Sequence, residues 1–208
     1  MSSVKTLIEN LENRTYLTMR ARTETANKFK RWDSFIHYVN TYFSLVVVIY
    51  SIWNINNGVG RIALALMIFS VIDFAFSIFV NALNLNEKHL HYKDNYIQLN
   101  ALYSRVKYLN SSSRDDLDVV KEEYMEMEKE YNQILKSCEN HSTFDFYVSV
   151  LDNKQYLDSI SKFKQIKIYI LAYSYIVLEI ILKVFFFVVP FLLPQFIKLI
   201  DMLTESMC

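Results

Sequence analysis

The chain has 208 residues, with 22 Lys plus Arg, 22 Asp plus Glu and a formal net charge of zero, so it lacks the basic excess typical of a nucleic-acid binder, and no direct nucleic-acid binding is expected. Hydrophobic residues make up 52% and charged residues 21%, and the two kinds are segregated along the chain. With only two glycines and two prolines, the Gly-rich phosphate loops G-x-G-x-x-G and G-x-x-x-x-G-K cannot be built, and turn-rich β sandwiches are disfavoured.

What remains is an all-α membrane protein. It should contain a transmembrane helical hairpin, a cytoplasmic antiparallel helical hairpin and a third, Pro-interrupted apolar helix. Residues 1–33 come first, a basic helix with seven Lys/Arg against four acids. Its simplest role is a juxtamembrane topogenic signal. Lying on anionic headgroups or packing against the cytoplasmic hairpin are the alternatives.

Residues 34–86 read as two spans. No Asp, Glu, Lys or Arg lies between Asp33 and Arg61, and Phe35 to Ile55 is long enough to cross a bilayer as a helix. Trp32 and Trp53, the only tryptophans, are about 31 Å apart along a helix, which suits the two water interfaces. A second apolar run covers Ile62 to Leu85 with one charge, Asp73. Both glycines fall in the link Asn54 to Arg61, where a tight reversal is needed. The first run begins too late and is too long for a cleavable leader, so it is expected to act as the insertion signal.

Residues 87–141 carry the cytoplasmic hairpin. Leu117, Val120, Tyr124, Met127, Tyr131, Ile134 and Cys138 recur at 3-4 spacing among acids and lysines, the pattern of a hairpin or oligomer seam. Tyr92, Tyr96, Leu99, Tyr103 and Val106 repeat the spacing upstream. The turn is expected at 110–113, with Ser113 and Asp116 as a capping box. No breaker lies between Leu85 and Tyr92, so the second span is expected to run directly into this arm. Residues 142–167 form a connecting helix. Residues 168–198 form the third apolar segment, whose only charges are Glu179 and Lys183 and whose end holds Pro190 and Pro194. It is either a kinked span or a helix that enters and breaks. Residues 199–208 are a tail. Twelve Lys/Arg in 87–167, against one between the first two spans, place the N-terminus and 87–167 in the cytoplasm of a multi-pass inner-membrane protein. A soluble fold is disfavoured, because a chain this small cannot bury three such helices.

Polar residues inside the spans are the candidate site. Ser70, Asp73, Ser77, Asn81 and Asn84 share one helical face, and His37, Asn40, Ser44, Ser51 and Asn54 form a stripe on the first span. Such groups should face protein or water, either as interhelical glue or as the lining of an oligomeric pore. A carboxylate near mid-membrane costs roughly 2.5–3.5 kcal/mol. Asp73 therefore needs a proton, a partner such as Lys183 or a wet lumen, and a ring of Asp73 from several copies would favour cations. Glu179 and Lys183 form an i, i+4 ion pair, either self-contained or used between subunits. His89, His91, Cys138 and His141 meet at the base of the hairpin, but their directions do not converge, so no metal is assigned. No nucleophile–base pattern and no cofactor motif is present, so no enzyme and no cofactor are expected.

The layout resembles the SLATT family, the SMODS and SLOG-associating two-transmembrane effector domains of bacterial conflict systems. The resemblance rests on Arg20-Ala-Arg22 and Ala26-Asn-Lys-Phe29 before the first span, the link Asn56-Asn-Gly-Val-Gly60 and the helix Tyr96-Ile-Gln-Leu-Asn-Ala-Leu-Tyr103. The stretch Cys138-Glu-Asn-His141-Ser-Thr-Phe-Asp145 is similar to the subgroup with an extra C-terminal apolar segment. It covers most of residues 1–160, with the third run as an extension. It implies an anti-phage effector of the abortive-infection kind, a homo-oligomer that permeabilises the membrane. A sensor or a nucleotide-producing or nucleic-acid-synthesising partner would trigger it. Two rival classes are a membrane-anchored coiled-coil scaffold that recruits a soluble partner and a small cation or proton transporter subunit.

Overall fold

The computed structural model describes the backbone of residues 2–57, 60–112, 116–151 and 153–205, and within these the side chains of all but 2–3, 54–57, 60–62, 191 and 193–205. Among the described residues there are seven helices: α1 (Ser2–Asn57), α2 (Gly60–Ala82), α3 (Leu85–Ser111), α4 (Leu117–Lys136), α5 (Thr143–Val150), α6 (Lys154–Ser159) and α7 (Lys162–Glu205). They divide into two compact units, one of residues 1–30 and 86–175, the other of 31–85 and 176–208.

The first unit is built like a soluble bundle. Leu99, Leu102, Val106 and Leu109 of α3 and Tyr124, Met127, Tyr131 and Ile134 of α4 are all buried in one cluster. The pairs Asn95–Ile134 and Arg105–Glu130 show the two helices antiparallel. Ile8 and Leu11 of α1 complete the cluster, so the 3-4 seam faces two helices of its own chain. Asp116 caps α4, accepting from the amides of Asp118 (3.2 Å) and Val119 (3.4 Å). Asp116 thus occupies the N-cap position itself, and the Ser113 half of the expected box lies outside the described residues. Residues 142–161 form α5 and α6, two short helices capped by Ser142 and Asn153. Val150, Leu157 and Ile168 make a second small core with them.

The expected continuous passage from the second span into α3 is not observed. Asn84 takes φ 48° and separates α2 from α3. Its amide and that of Leu83 bond carbonyls of the last turn of α2 (Asn81, Phe79 and Val80). Asn tolerates the left-handed region and ends a helix as Gly does. A search for Gly and Pro alone misses it.

The second unit has little core of its own. Val39, Phe43, Leu66, Val80, Glu179 and Pro190 are its buried residues among those described, while Met67, Val71 and Phe74 are more than 60% exposed. Among the described residues three helices are long and apolar enough to cross a membrane. A contiguous apolar surface of this kind has bilayer as its solvent. Helix α7 does not break at Pro190 or Pro194. Each proline removes one intrahelical bond, and in hydrocarbon the remaining bonds have no water to compete for them.

Candidate functional site

Where α1 and α2 meet in the second unit, the two polar stripes come together. Ser44 Oγ lies 3.0 Å from Asp73 Oδ2, and Ser77 Oγ lies 2.6 Å from Asn40 Oδ1. Each hydroxyl also reaches a carbonyl of its own helix, Asn40 O at 3.1 Å for Ser44 and Asp73 O at 3.0 Å for Ser77. A hydroxyl has one hydrogen, so each serine divides it between two acceptors. The cluster is therefore rich in acceptors and poor in donors. Asp73 Oδ1 is buried and has no hydrogen-bond partner.

The other stripe residues stand apart. Ser51 and Ser70 bond back to Val47 O (2.7 Å) and Leu66 O (2.8 Å) of their own helices. His37 approaches Asp33 on its own helix at 3.7 Å. Asn81 and Asn84 are exposed, and the Asn54 side chain lies outside the described residues.

The position of α7 gives the seam a side. Phe35 and Tyr42 of α1 and Phe76 of α2 pack on Phe186 and Phe187, with ring centroids 5.5–6.3 Å apart. At about 100° per residue, Ser44 lies about 160° around α1 from Tyr42. Asn81 and Ser70 lie about 140° and about 120° around α2 from Phe76. The aromatic sides of α1 and α2 are thus covered by α7, and Thr41, Ser44, Ser70 and Asn81 remain exposed on the other side.

The expected pair of Asp73 with Lys183 is not formed. Lys183 binds Glu179 at 2.5 Å and sits 5.2 Å over Trp32 and 5.6 Å over Phe35. Arg31 approaches the same carboxylate at 3.9 Å. The Glu179–Lys183 pair is thus intrahelical, with an added cation from α1.

The seam residues of α4 are placed inside the first unit. Tyr124, Met127, Tyr131 and Ile134 are buried, Val120 is half-buried, and Leu117, at the first residue of α4, is exposed. Sequence reasoning missed the polar centre beside them. Arg22 is fully buried; it donates to Asn95 Oδ1 and, at 3.3 Å each, to the carbonyls of Ile134 and Leu135. These carbonyls belong to the last turn of α4, which has no intrahelical donors left for them. Asp145, 1% exposed, accepts from Lys28 Nζ at 2.6 and 2.8 Å and from Thr25 at 3.1 Å. Burial lowers the Arg22 and His141 pKa values and raises that of the Cys138 thiol. The Tyr92 phenol is pushed up to about 12, first by burial and then by Cys138. The signal available in the sequence was the pair of segments 20–29 and 138–145, which carry the family resemblance and which the fold joins. His89 Nδ1 lies 2.9 Å from Ala26 O, and His91 is exposed. Among the described residues no group of three His, Cys, Asp or Glu could hold a metal.

The family model of the SMODS and SLOG-associating 2TM effector domain, family 5, matches residues 4–193. The matched region runs through the apolar part of α7 as far as residue 193, so the third run belongs to the domain. No curated protein and no solved structure matches the chain.

Proposed function

Because the chain belongs to family 5 of the SLATT effector domains, two-transmembrane membrane effectors of bacterial conflict systems, we propose that it permeabilises the inner membrane as an oligomer when a partner of its system triggers it. SLATT effectors are not a known enzyme class. The observation that carries the proposal is the one-sided polar seam of α1 and α2. Asp73 Oδ1 is buried there without a partner, and exposed hydroxyls flank it. Hydroxyls and carboxylates do not face hydrocarbon without cost, so the seam turns to other copies and a wet lumen, and α7 turns to lipid. A ring of Asp73 favours cations. The N-terminus and the first unit lie in the cytoplasm. A resting pore would kill its own host, so the first unit holds the gate.

The scaffold alternative loses support from the burial of Tyr124 and Tyr131, the residues that a recruiting face would present. The test is ion flux in liposomes holding the full chain together with the partner of its system that triggers it, with membrane potential after controlled expression of both as the cellular readout. Wild type and Asp73→Glu are expected to pass cations in preference to anions, and Asp73→Asn to lose that preference. Equal flux and selectivity in all three would remove Asp73 from the mechanism. Saturable uptake of one solute without depolarisation would replace the effector by the transporter.

A further inference from the structure

Five of the seven basic residues before the first span are engaged by protein, and Lys5 and Lys30 are exposed. Arg14 pairs with Glu128, Arg20 donates to Ser149 O, Arg22 is buried, Lys28 holds Asp145 and Arg31 approaches Glu179. The lipid-facing role considered for that helix therefore has few free cations to rest on. A second basic segment stands in contrast. Lys162, Lys164 and Lys167 on the first turns of α7 are exposed, and no described residue forms an ion pair with them. No acid occurs from Ser159 to Leu178.

The same turns carry an apolar stripe that the protein does not cover. Ile168 (5% exposed) belongs to the first unit's small core, and Ala172 (0%), about 40° around the helix from it, is buried as well. Phe163, Ile166, Ile170 and Tyr173 lie about 140–160° around the helix from Ile168, at 57–78% exposure. The apolar stretch Lys162–Pro190 has 29 residues. At about 1.5 Å per residue it is roughly 43 Å long, which matches a bilayer with its headgroups better than the hydrocarbon alone.

We propose that residues 162–173 of α7 form a binding surface for anionic phospholipid, with Lys162 and Lys167 on the headgroup phosphates and Phe163, Ile166 and Ile170 at the acyl boundary. Lys162 and Lys167 lie about 120° and about 100° from Ile168 on opposite flanks of the stripe, whereas Lys164, about 40° from Ile168, lies away from it. Unpaired cations beside an apolar stripe are the two halves of an interfacial lipid contact. A protein partner for the same face would need acids set around an apolar ridge. The lipid surface stands whether or not the seam of α1 and α2 conducts.

The test is native mass spectrometry of the full chain released from nanodiscs of mixed phosphatidylcholine and phosphatidylglycerol. Retained phosphatidylglycerol should be enriched over the bulk ratio. The enrichment should fall in K162Q/K167Q by roughly fivefold per lysine removed, and should survive in K162R/K167R. The charge-matched α4 variant K121Q/K129Q should keep it, and excess inorganic phosphate should not displace the lipid. No enrichment in the wild type overturns the proposal. An equal loss in the α4 variant, or displacement by free phosphate, does so as well.

Discussion

The two units solve opposite problems with the same helices. In the first, apolar side chains turn inward: Leu11, Leu99, Leu102 and Val106 are all at 0% exposure. In the second, Met67, Val71 and Phe74 are more than 60% exposed, and apolar 18-residue windows of the three candidate spans are only 17%, 6% and 6% buried. There the polar groups turn to one another instead, as Ser44 does to Asp73 and Ser77 to Asn40. The apolar faces that α1, α3 and α4 bring together in the first unit are sealed by their own chain, and those of the second unit are largely left for lipid. A change of side-chain size or charge should therefore register very differently in each.

The sharpest contrast concerns the two ion pairs. Lys28→Met strands Asp145, a carboxylate that is 1% exposed, and should destabilise the first unit by about 3–5 kcal/mol. Lys183→Met leaves Glu179 beside Arg31 and should cost clearly less. Hydrogen–deuterium exchange in detergent reads both, in α3 and α4 for the first and in α7 for the second. Equal losses would blur the distinction between the units. Next is packing. Leu102→Ala opens a cavity in a closed core and should cost about 2–5 kcal/mol, whereas Ile181→Ala, on a residue of α7 that is 58% exposed, should cost less than about 1 kcal/mol. Thermal unfolding of the solubilised chain compares them. A large loss for Ile181→Ala would mean that this face packs on protein.

The sequence showed these opposed surfaces better than it showed what joins each unit internally. The 3-4 repeat of α4 was legible because Tyr124, Met127, Tyr131 and Ile134 sit on one face of a short amphipathic helix. The α3 repeat was half legible. Tyr96 and Tyr103 are only half-buried, and the structure buries Asn95, Leu102 and Leu109 instead, because α1 adds a second neighbour. Arg22 stood in a segment that carries the family resemblance, but its pairing with Asn95 was not legible. A buried polar pair looks like any solvated pair until the helix end that it satisfies is known. In the spans, the polar stripes were visible as spacing, but the meeting of Asn40 with Ser77 and Ser44 with Asp73 needed the register of two helices. The end of α2 was hidden because Asn84 does the work usually left to Gly.

The smallest effect is a pH dependence confined to the first unit. Burial and the Arg22 charge lower the His141 pKa below its usual 6.5, so the unfolded chain binds the proton more tightly. Stability should be complete above about pH 6.5 and fall as pH drops from there toward the folded pKa, by at most about 1.4 kcal/mol per pH unit. His141→Phe keeps a ring beside Phe146 and should remove this part of the slope in unfolding measured between pH 7.5 and 5.5. An unchanged slope would assign it to other groups.

The polar side of the α1–α2 seam, as the face that meets water, is tested most directly by thiol accessibility. In a background of Cys138→Ala and Cys208→Ser, single cysteines replace Ser44, Ser70 and, on α7, Ile181. A charged, membrane-impermeant thiol reagent is then applied to the triggered protein in sealed liposomes. Labelling at Ser44→Cys and Ser70→Cys with Ile181→Cys protected is the expected result, and protection at both seam positions or labelling at Ile181→Cys alone would contradict it.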